Sequence, residues 1–150
     1  MLFIGEYEHT LDEKNRLMVP SRLRECMDEA LAVEGIYVTR GFEGCLYIYP
    51  KRHFDAVVEQ LQKAPFTRAQ SRSLQRLFFS QAAFCPWDKQ GRILIPEGLK
   101  EMAGIVREVT LVGVSDHIEV WDRERWKGFR RTNDGQFETL AETVFPAPDA

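Results

Sequence analysis

The chain carries one nine-residue pattern twice. Residues 12–20 read Asp-Glu-Lys-Asn-Arg-Leu-Met-Val-Pro, and residues 88–96 read Asp-Lys-Gln-Gly-Arg-Ile-Leu-Ile-Pro. Both copies keep the spacing of the acid, the arginine and the proline, with an apolar triplet before the proline. A repeated unit restricts the possible architecture more than a single motif does. A charged turn beside apolar segments is also more typical of a two-part binding protein than of an enzyme.

The repeat extends beyond this motif in both directions. Residues 3–7 correspond to residues 79–83, and residues 41–49 correspond to residues 113–121. The offset is 76 residues at the motif and 72 residues beyond it, so the first copy holds four additional residues. Two copies of so long a unit predict a pseudo-symmetric pair of halves, because a solenoid needs about three or more repeats.

Length and composition indicate a globular protein. The 150 residues suffice for one domain or for two small halves that share a core, and 44% of them are hydrophobic. No apolar run approaches the roughly 18 residues of a membrane span, and the N-terminus does not resemble a signal peptide. The cysteines (Cys26, Cys45 and Cys85) are odd in number and widely spaced, which supports neither a zinc ribbon nor a disulfide framework. We therefore expect a cytoplasmic protein with reduced thiols.

Charge is distributed unevenly along the chain. The formal net charge of −3 by itself argues against a nucleic-acid partner. Residues 51–76 nevertheless hold six Lys/Arg and two acids, and residues 122–131 hold five Lys/Arg and two acids. Residues 132–150 hold four acids and no Lys/Arg. The basic segments are consistent either with solvated helix faces or with a surface for nucleic acid.

Each half is predicted to contain a strand, a charged turn, a second strand, a short helix, two further strands and a helix. The strands are expected at residues 3–10, 17–19, 36–40, 45–49, 108–114 and 117–121. The first two should form a hairpin. Asp suits the start of such a turn, and Asn15 and Gly91 lie where the loop needs a left-handed backbone.

The spacing of apolar residues predicts the helices. Helices should begin after Pro20, Pro50 and Pro96. Each should have an apolar stripe that faces inward: Leu23, Cys26, Met27, Ala30 and Leu31 in the first helix; Phe54, Val57, Val58 and Leu61 in the second; and Leu99, Met102 and Ala103 in the third. Gly104 should end the last of these, and residues 68–79 should form a connecting helix. The predicted organisation is a first half (1–50), a helical connector (51–77), a second half (78–121) and a C-terminal helix and tail (122–150).

With these residues the chain resembles the MraZ family of the AbrB-like swapped-hairpin superfamily, over nearly its whole length. The motifs that carry the resemblance are Gly5-Glu6-Tyr7, Asp12 and Arg16 with Pro20, and Asp88, Gly91 and Arg92 with Pro96. Asn15 departs from the family, whose first copy more often has Gly there, but Asn also tolerates positive φ. The resemblance implies an α+β fold in which two pseudo-symmetric AbrB-like swapped-hairpin halves form a small β-barrel-like core flanked by short helices.

The resemblance also implies a function. Members of the family form rings of subunits and bind repeated short DNA elements upstream of the division and cell-wall gene cluster, where they regulate transcription. We therefore expect a sequence-specific DNA-binding transcriptional regulator, cytoplasmic and nucleoid-associated, that forms a homo-oligomeric ring and binds double-stranded DNA with short tandem repeats. The alternative is a ring-forming protein-interaction or assembly module whose DNA binding is incidental.

The candidate DNA contacts are the basic side chains in and near the two turns: Arg16, Lys14, Arg22, Arg24, Arg92 and Lys89. Arginine can pair bidentately with phosphate or with the O6/N7 edge of guanine, and a two-stranded ribbon fits the major groove. Asp12 and Asp88 should form the turns and orient the arginines, since a carboxylate facing phosphate is unfavourable. Two alternatives remain: the Asp–Arg pairs serve the turns alone, or Arg92 packs against a neighbouring subunit.

No pattern in the sequence indicates catalysis, a cofactor or a metal. The histidines (His9, His53 and His117) lack the spacing of a helical metal site, and there is no Gly-rich phosphate loop. Cys85 is expected to pack rather than react. The aromatic residues Tyr47, Tyr49, Trp121 and Trp126 are expected in the core or at a subunit interface, and the surfaces carrying Tyr49, Phe54 or Trp126 should need cover from another subunit.

Overall fold

The computed structural model describes residues 2–27, 34–145 and 147–148, and its two halves contain the same succession of elements. The strands are β1 (Glu6–Thr10), β2 (Arg16–Met18), β3 (Gly35–Arg40), β4 (Leu46–Tyr49), β5 (Ala83–Pro86), β6 (Arg92–Leu94), β7 (Glu108–Val114) and β8 (His117–Asp122). The helices are α1 (Ser21–Glu25), α2 (Lys51–Gln62), α3 (Ala69–Gln81), α4 (Glu97–Met102), α5 (Arg123–Asn133) and α6 (Phe137–Val144). Single 3₁₀ turns lie at Phe42–Gly44 and Asp134–Gln136. The chain is therefore of the mixed α+β class.

Strands from both halves are interleaved in one antiparallel sheet. Its six strands follow the order β1-β7-β8-β4-β3-β5. β1 of the first half pairs with β7 of the second, and β3 of the first half pairs with β5 of the second. β2 and β6 form a separate two-stranded antiparallel ribbon. The six-stranded sheet thus depends on pairing between strands of the two halves.

The predicted hairpin between the first two strands is wrong. A tight turn joins β1 to β2, but β1 pairs with β7 over five residues and β2 pairs with β6 over three. A lone two-stranded hairpin is marginal in water, whereas pairing across the halves adds each strand to a larger structure with a buried face. The predicted barrel-like closure is also not found: among the described residues, no ladder joins the outer strands β1 and β5 of the sheet.

A single cluster of buried side chains connects the sheet, the ribbon and the two short helices. Leu17 and Ile93 enter it from the ribbon, and Leu23 and Leu99 enter it from α1 and α4. All four side chains are at most 2% exposed. Because side chains alternate along a strand, burying one face of the ribbon directs its other face away from the core.

The helix starts follow the prolines, as predicted. α1, α2 and α4 begin directly after Pro20, Pro50 and Pro96, and Gly104 follows α4 with a φ of +64°. Two members of the first predicted stripe, Ala30 and Leu31, lie outside the described residues.

The predictions for α2 and its aromatic neighbours need correction. Of its predicted inward residues only Phe54 is buried, while Val57, Val58 and Leu61 are half-buried. The helix packs on β3 and β4 with one side and leaves a groove between itself and α3. Tyr49 and Phe54 are 7% and 8% exposed, so the chain itself covers them and neither needs another subunit for that purpose.

Candidate nucleic-acid interface

The ribbon brings the two repeated turns together on one surface. In its register Arg16 lies opposite Leu94, Leu17 opposite Ile93, and Met18 opposite Arg92. Since Leu17 and Ile93 point into the core, the other four side chains share the opposite face. The sequence predicted two separate charged turns, whereas the structure combines them into a single face, which we call the ribbon face: Arg16, Met18, Arg92 and Leu94.

The two arginines of the ribbon face are diagonal neighbours. Diagonal positions on paired strands lie roughly 7–8 Å apart, within reach of long side chains. Arg92 Nη1 lies 3.5 Å from Asp12 Oδ2, so the second-half arginine reaches the first-half carboxylate. The side chains of Arg16 and Arg92 are 34% and 23% exposed. Both guanidinium groups are therefore held in place but remain open to a ligand.

The aspartates build two nearly identical turns. Asp12 Oδ1 accepts from the backbone N–H groups of Lys14 and Arg16, both at 2.9 Å, and its Oδ2 accepts from Arg16 Nε at 2.6 Å. Asp88 Oδ1 accepts from the backbone of Gln90 at 2.8 Å and of Arg92 at 2.9 Å, and its Oδ2 accepts from Arg92 Nε at 2.7 Å.

These donors also determine the protonation of the two acids. The backbone hydrogen bond from the arginine four residues on has the largest effect and lowers the pKa of Asp12 and of Asp88; burial opposes it, and the hydrogen bond from the guanidinium adds to the lowering. Both carboxylates are therefore ionised at neutral pH and accept hydrogen bonds only. Each orients the Nε–H of its arginine and leaves Nη donors of that guanidinium for further contacts, although Nη1 of Arg92 also lies near Asp12.

The left-handed positions predicted in the turns are present. Asn15 has a φ of +62° and Gly91 a φ of +78°. Each of these residues is braced by the helix of the other half. Lys100 Nζ on α4 donates to Asn15 Oδ1 at 3.0 Å. In the second turn, a Cβ on Gly91 would lie 2.6 Å from Nη1 of Arg24.

Lys100 and Glu97 are site residues that the sequence reasoning missed. Asn15 Nδ2 donates to Glu97 Oε2 at 2.7 Å, so Glu97 and Lys100, which both lie on α4, contact the tip of the first turn. A signal for Lys100 was available: it follows Arg24 by 76 residues, which is the offset of the motif. The repeat therefore pairs these two cations as equivalent braces.

The remaining sequence candidates differ in their surroundings. Lys14 and Lys89 are exposed in the two turns, and Arg22 is exposed in α1. Arg24 is half-buried and donates from Nε to the carbonyl oxygen of Val19 at 3.0 Å. The guanidinium of Arg24 occupies the space that a Cβ on Gly91 would enter, so Arg24 lies beside the second turn.

The basic segment in α5 is engaged within the chain. Arg123 donates to the carbonyl oxygen of His9, and Arg125 donates to those of Gly44 and Ala103. Arg130 pairs with Glu6 and Asp134. These contacts hold α5 in place and engage Arg123, Arg125 and Arg130 within the chain, so the charge of this segment does not by itself indicate a second binding surface.

The other reactive side chains do not form a second site within the part of the chain that the structure describes. That part contains no group of three or more His, Cys, Asp or Glu residues that could hold a metal, and none of its helices is long and apolar enough to cross a membrane. Cys85 is buried in the core, and burial raises its pKa to about 11. A thiol with so high a pKa is protonated at neutral pH, as expected for a packing residue.

The turn geometry predicts opposite effects for two glycines. Gly91→Ala should lower the free energy of unfolding by about 1–2 kcal/mol, because an L-residue is disfavoured at positive φ and the guanidinium of Arg24 must move. Gly98→Ala in α4 should raise it by about 0.5–1 kcal/mol, because the added methyl meets no atom within 4 Å and glycine weakens a helix. Urea denaturation of both variants measures the difference. Equal effects at the two positions would contradict the role given to Gly91.

Comparison with known proteins places this geometry in a family. A family model described as "MraZ protein, putative antitoxin-like" matches residues 2–77 and again residues 78–146. A "Transcriptional regulator MraZ" of Heliobacterium modesticaldum is 43% identical over 143 residues, which cover 95% of this chain and 96% of that protein. Proteins with the same description from Moorella thermoacetica and Desulforamulus reducens are 44% and 41% identical over 143 residues, with coverage of 95% of this chain and 96% and 97% of theirs. The two matched segments together span nearly the whole sequence, each with one copy of the Asp–Arg turn, and the chain therefore belongs to the MraZ family.

Proposed function

We propose that the chain is a sequence-specific, DNA-binding transcriptional regulator and that the ribbon face is its DNA-reading surface. The observation that carries the proposal is the convergence of Arg16 and Arg92, one from each half, on the open face of a two-stranded ribbon. The relatives described as transcriptional regulators support it from an independent direction. The proposal involves no catalysis and no cofactor.

The shape and the donors of the ribbon face suit the major groove. A two-stranded ribbon fits this groove, and an arginine fork matches the O6/N7 edge of guanine. Asp12 and Asp88 bind the Nε–H groups, so each guanidinium is oriented before DNA arrives and loses less conformational entropy on binding. Met18 and Leu94 complete the face with apolar surface, and Leu94 is 57% exposed. Apolar side chains of this kind can contact the methyl group of thymine.

Phosphate contacts are assigned to the exposed cations around the ribbon. Lys14 and Lys89 lie at the two turn tips, and Arg22 lies in α1 directly after the first motif. Lysine acts as a point charge toward phosphate, whereas arginine can also bind bidentately. In this assignment the lysines fix the position of the protein on the sugar-phosphate backbone of the DNA, and the two arginines of the ribbon face discriminate between bases.

The finer features of the proposal concern assembly and target. We assign the chain two AbrB-like swapped-hairpin halves (1–50 and 78–121), a helical connector (51–77) and a C-terminal helix and tail (122–150). Homo-oligomeric rings in the cytoplasm would present several ribbon faces to short tandem DNA repeats in promoters of division and cell-wall genes, in association with the nucleoid. One ribbon face gives a small footprint, and linked copies raise the overall affinity because later contacts are effectively intramolecular.

A second candidate function is a ring-forming interaction module whose DNA binding is incidental. It is favoured by the apolar groove beside α2 and by the exposed apolar side chains of α6. The salt dependence of duplex binding discriminates between the two functions. For a reader that contacts phosphates, the logarithm of the binding constant should fall linearly with the logarithm of salt concentration, with a slope of about −0.9 per contacted phosphate. Binding that is absent at low salt would refute the DNA-reading proposal.

A further inference from the structure

The two turns of the ribbon are built alike but meet the opposite half of the chain in different ways. In the first turn the side chain of Asn15 lies between two side chains of α4: its Nδ2 donates to Glu97 Oε2 at 2.7 Å, and its Oδ1 accepts from Lys100 Nζ at 3.0 Å. We call these three residues the α4 bridge. In the second turn Gly91 offers no side chain, and the guanidinium of Arg24 lies beside it. The α4 bridge is therefore a feature of the first turn that the repeat does not reproduce.

The α4 bridge combines two charged hydrogen bonds with one backbone hydrogen bond. Glu97 and Lys100 are three residues apart, so they lie on the same side of α4 and offer the amide of Asn15 an acceptor and a donor. Hydrogen bonds to ionised groups are stronger than those between neutral groups. The carbonyl oxygen of Asn15 also accepts from the backbone N–H of Ile95 at 2.9 Å. The second half of the chain thus holds Asn15 by both its side chain and its backbone.

The bridge acts on the residue that directly precedes Arg16. Asp12 binds the guanidinium of Arg16, but both belong to the same turn, so this contact fixes the arginine relative to its own turn. The ladder between β2 and β6 begins at Arg16, and the tip of the turn lies beyond the paired strands. Through Asn15, the α4 bridge connects that tip to the half of the chain that carries Arg92. It therefore restrains the turn at the end of the ladder that carries Arg16.

We propose that Glu97 and Lys100 are positioning residues for DNA recognition, which act through Asn15 on the orientation of Arg16. The inference rests on the DNA-reading function proposed above and adds residues that influence recognition without contacting the bases. A binding surface is stronger when its side chains are already held in the bound arrangement, because less conformational freedom is lost on binding. Loss of the bridge should therefore weaken the reading of bases more than the attraction to phosphates.

Asn15→Gly is the central variant of the test. Glycine adopts the same positive φ, and the substitution removes the amide without changing any charge. The two probes are a duplex selected from a random pool by the unaltered protein and a duplex of the same length and composition in shuffled order. Affinity for the selected duplex should fall by about 2–10-fold, the size expected for one hydrogen bond, while affinity for the shuffled duplex stays unchanged. A general loss of stability would lower both affinities equally.

A cycle of single and double variants tests whether Lys100 acts through Asn15. Lys100→Met keeps most of the side-chain length and removes the donor, and its effect should disappear in the Asn15→Gly background, where the bridge is already broken. The salt dependence of binding should have the same slope in Lys100→Met as in the unaltered protein, since no phosphate contact is lost. Lys63→Met removes the same charge from an exposed position next to α2 and is the matched control, which should leave both affinities unchanged.

Glu97 is tested by two substitutions that remove the same charge. Glu97→Gln keeps a carbonyl oxygen that can accept from Asn15 Nδ2, whereas Glu97→Ala keeps no acceptor. The selected duplex should therefore bind Glu97→Gln about 2–10-fold more tightly than Glu97→Ala. Equal affinities of these two variants would remove Glu97 from the proposal. Circular dichroism of every variant verifies the fold.

The possible outcomes separate this inference from the function on which it rests. If the unaltered protein binds no duplex at low salt, the DNA-reading function and the positioning role are refuted together. If it binds the selected duplex and Asn15→Gly binds equally well, the positioning role alone is overturned. Equal losses on the selected and shuffled duplexes would overturn it as well. An effect of Lys100→Met that persists in the Asn15→Gly background, with a shallower salt slope, would make Lys100 a direct phosphate contact instead.

Discussion

Replacing Arg16 by Ala should weaken specific DNA binding by about 1–3 kcal/mol for each engaged subunit and leave the fold unchanged. The substitution removes a pre-oriented guanidinium from the ribbon face, while Leu17 beside it continues to fill the core. Arg16→Lys should recover only part of the loss, because an ammonium group lacks the planar fork that pairs bidentately with guanine or phosphate. Titration of a fixed duplex at one salt concentration measures all three affinities.

The shared carboxylate predicts how the two arginines combine. Arg92 Nη1 lies 3.5 Å from the same Asp12 Oδ2 that binds Arg16, so the two side chains are coupled. The loss in the double variant Arg16→Ala/Arg92→Ala should therefore differ from the sum of the two single losses. Arg52→Ala, which removes the same charge from an exposed position on α2, is the matched control and should leave the affinity nearly unchanged. If binding curves of Arg16→Ala and the unaltered protein coincide, Arg16 does not read DNA.

Local features of the fold were predictable because they depend on residues close in sequence. Pro20 and Pro96 mark helix starts. Proline suits the N-terminal end of a helix, because the N–H that it lacks would have no partner within the helix there. Asn15 and Gly91 adopt positive φ, as the turn chemistry requires. Asp12 and Asp88 accept hydrogen bonds from N–H groups two and four residues on, which the Asp-x-x-x-Arg spacing makes possible.

Pairing between the halves was not predictable from the same signals. Alternation of apolar residues indicates that β1 and β2 are strands, but it does not indicate which strand each one joins. The predicted hairpin paired β1 with β2, the next strand in the sequence. In the structure β1 pairs with β7, which lies about 100 residues away in the sequence. The convergence of Arg16 and Arg92 depends on the β2–β6 register and is therefore invisible in either motif alone.

The repeat nevertheless contained one signal for the cross-braced site. Arg24 and Lys100 occupy equivalent positions in the two copies: Lys100 donates to Asn15 in the first turn, and the guanidinium of Arg24 lies beside Gly91 in the second. Had the offset been applied to every candidate cation, Lys100 would have joined the predicted site. The repeat could not have predicted that the apolar stripe of α2 is only half-buried. The spacing of apolar residues indicates that a helix has an apolar face, but it does not indicate what covers that face.

Two tandem DNA repeats in helical phase should bind far better than one repeat, by about 10²–10⁴-fold. The reason is geometric: the proposed ring would carry the same ribbon face at a fixed angular step, and B-DNA presents equivalent grooves about every 10–10.5 base pairs. Adjacent subunits can engage together when the repeats lie near one helical turn apart, or when the DNA bends to meet them. The second contact then forms at a high effective concentration without any new side-chain interaction.

Displacing the second repeat by about five base pairs rotates it to the opposite side of the duplex, so most of the gain should disappear. The measurement compares affinities at fixed salt for one repeat, two in-phase repeats and two repeats shifted by half a turn. Equal affinity of the unaltered protein for the in-phase and shifted duplexes would rule out binding by adjacent subunits, even if each subunit binds DNA.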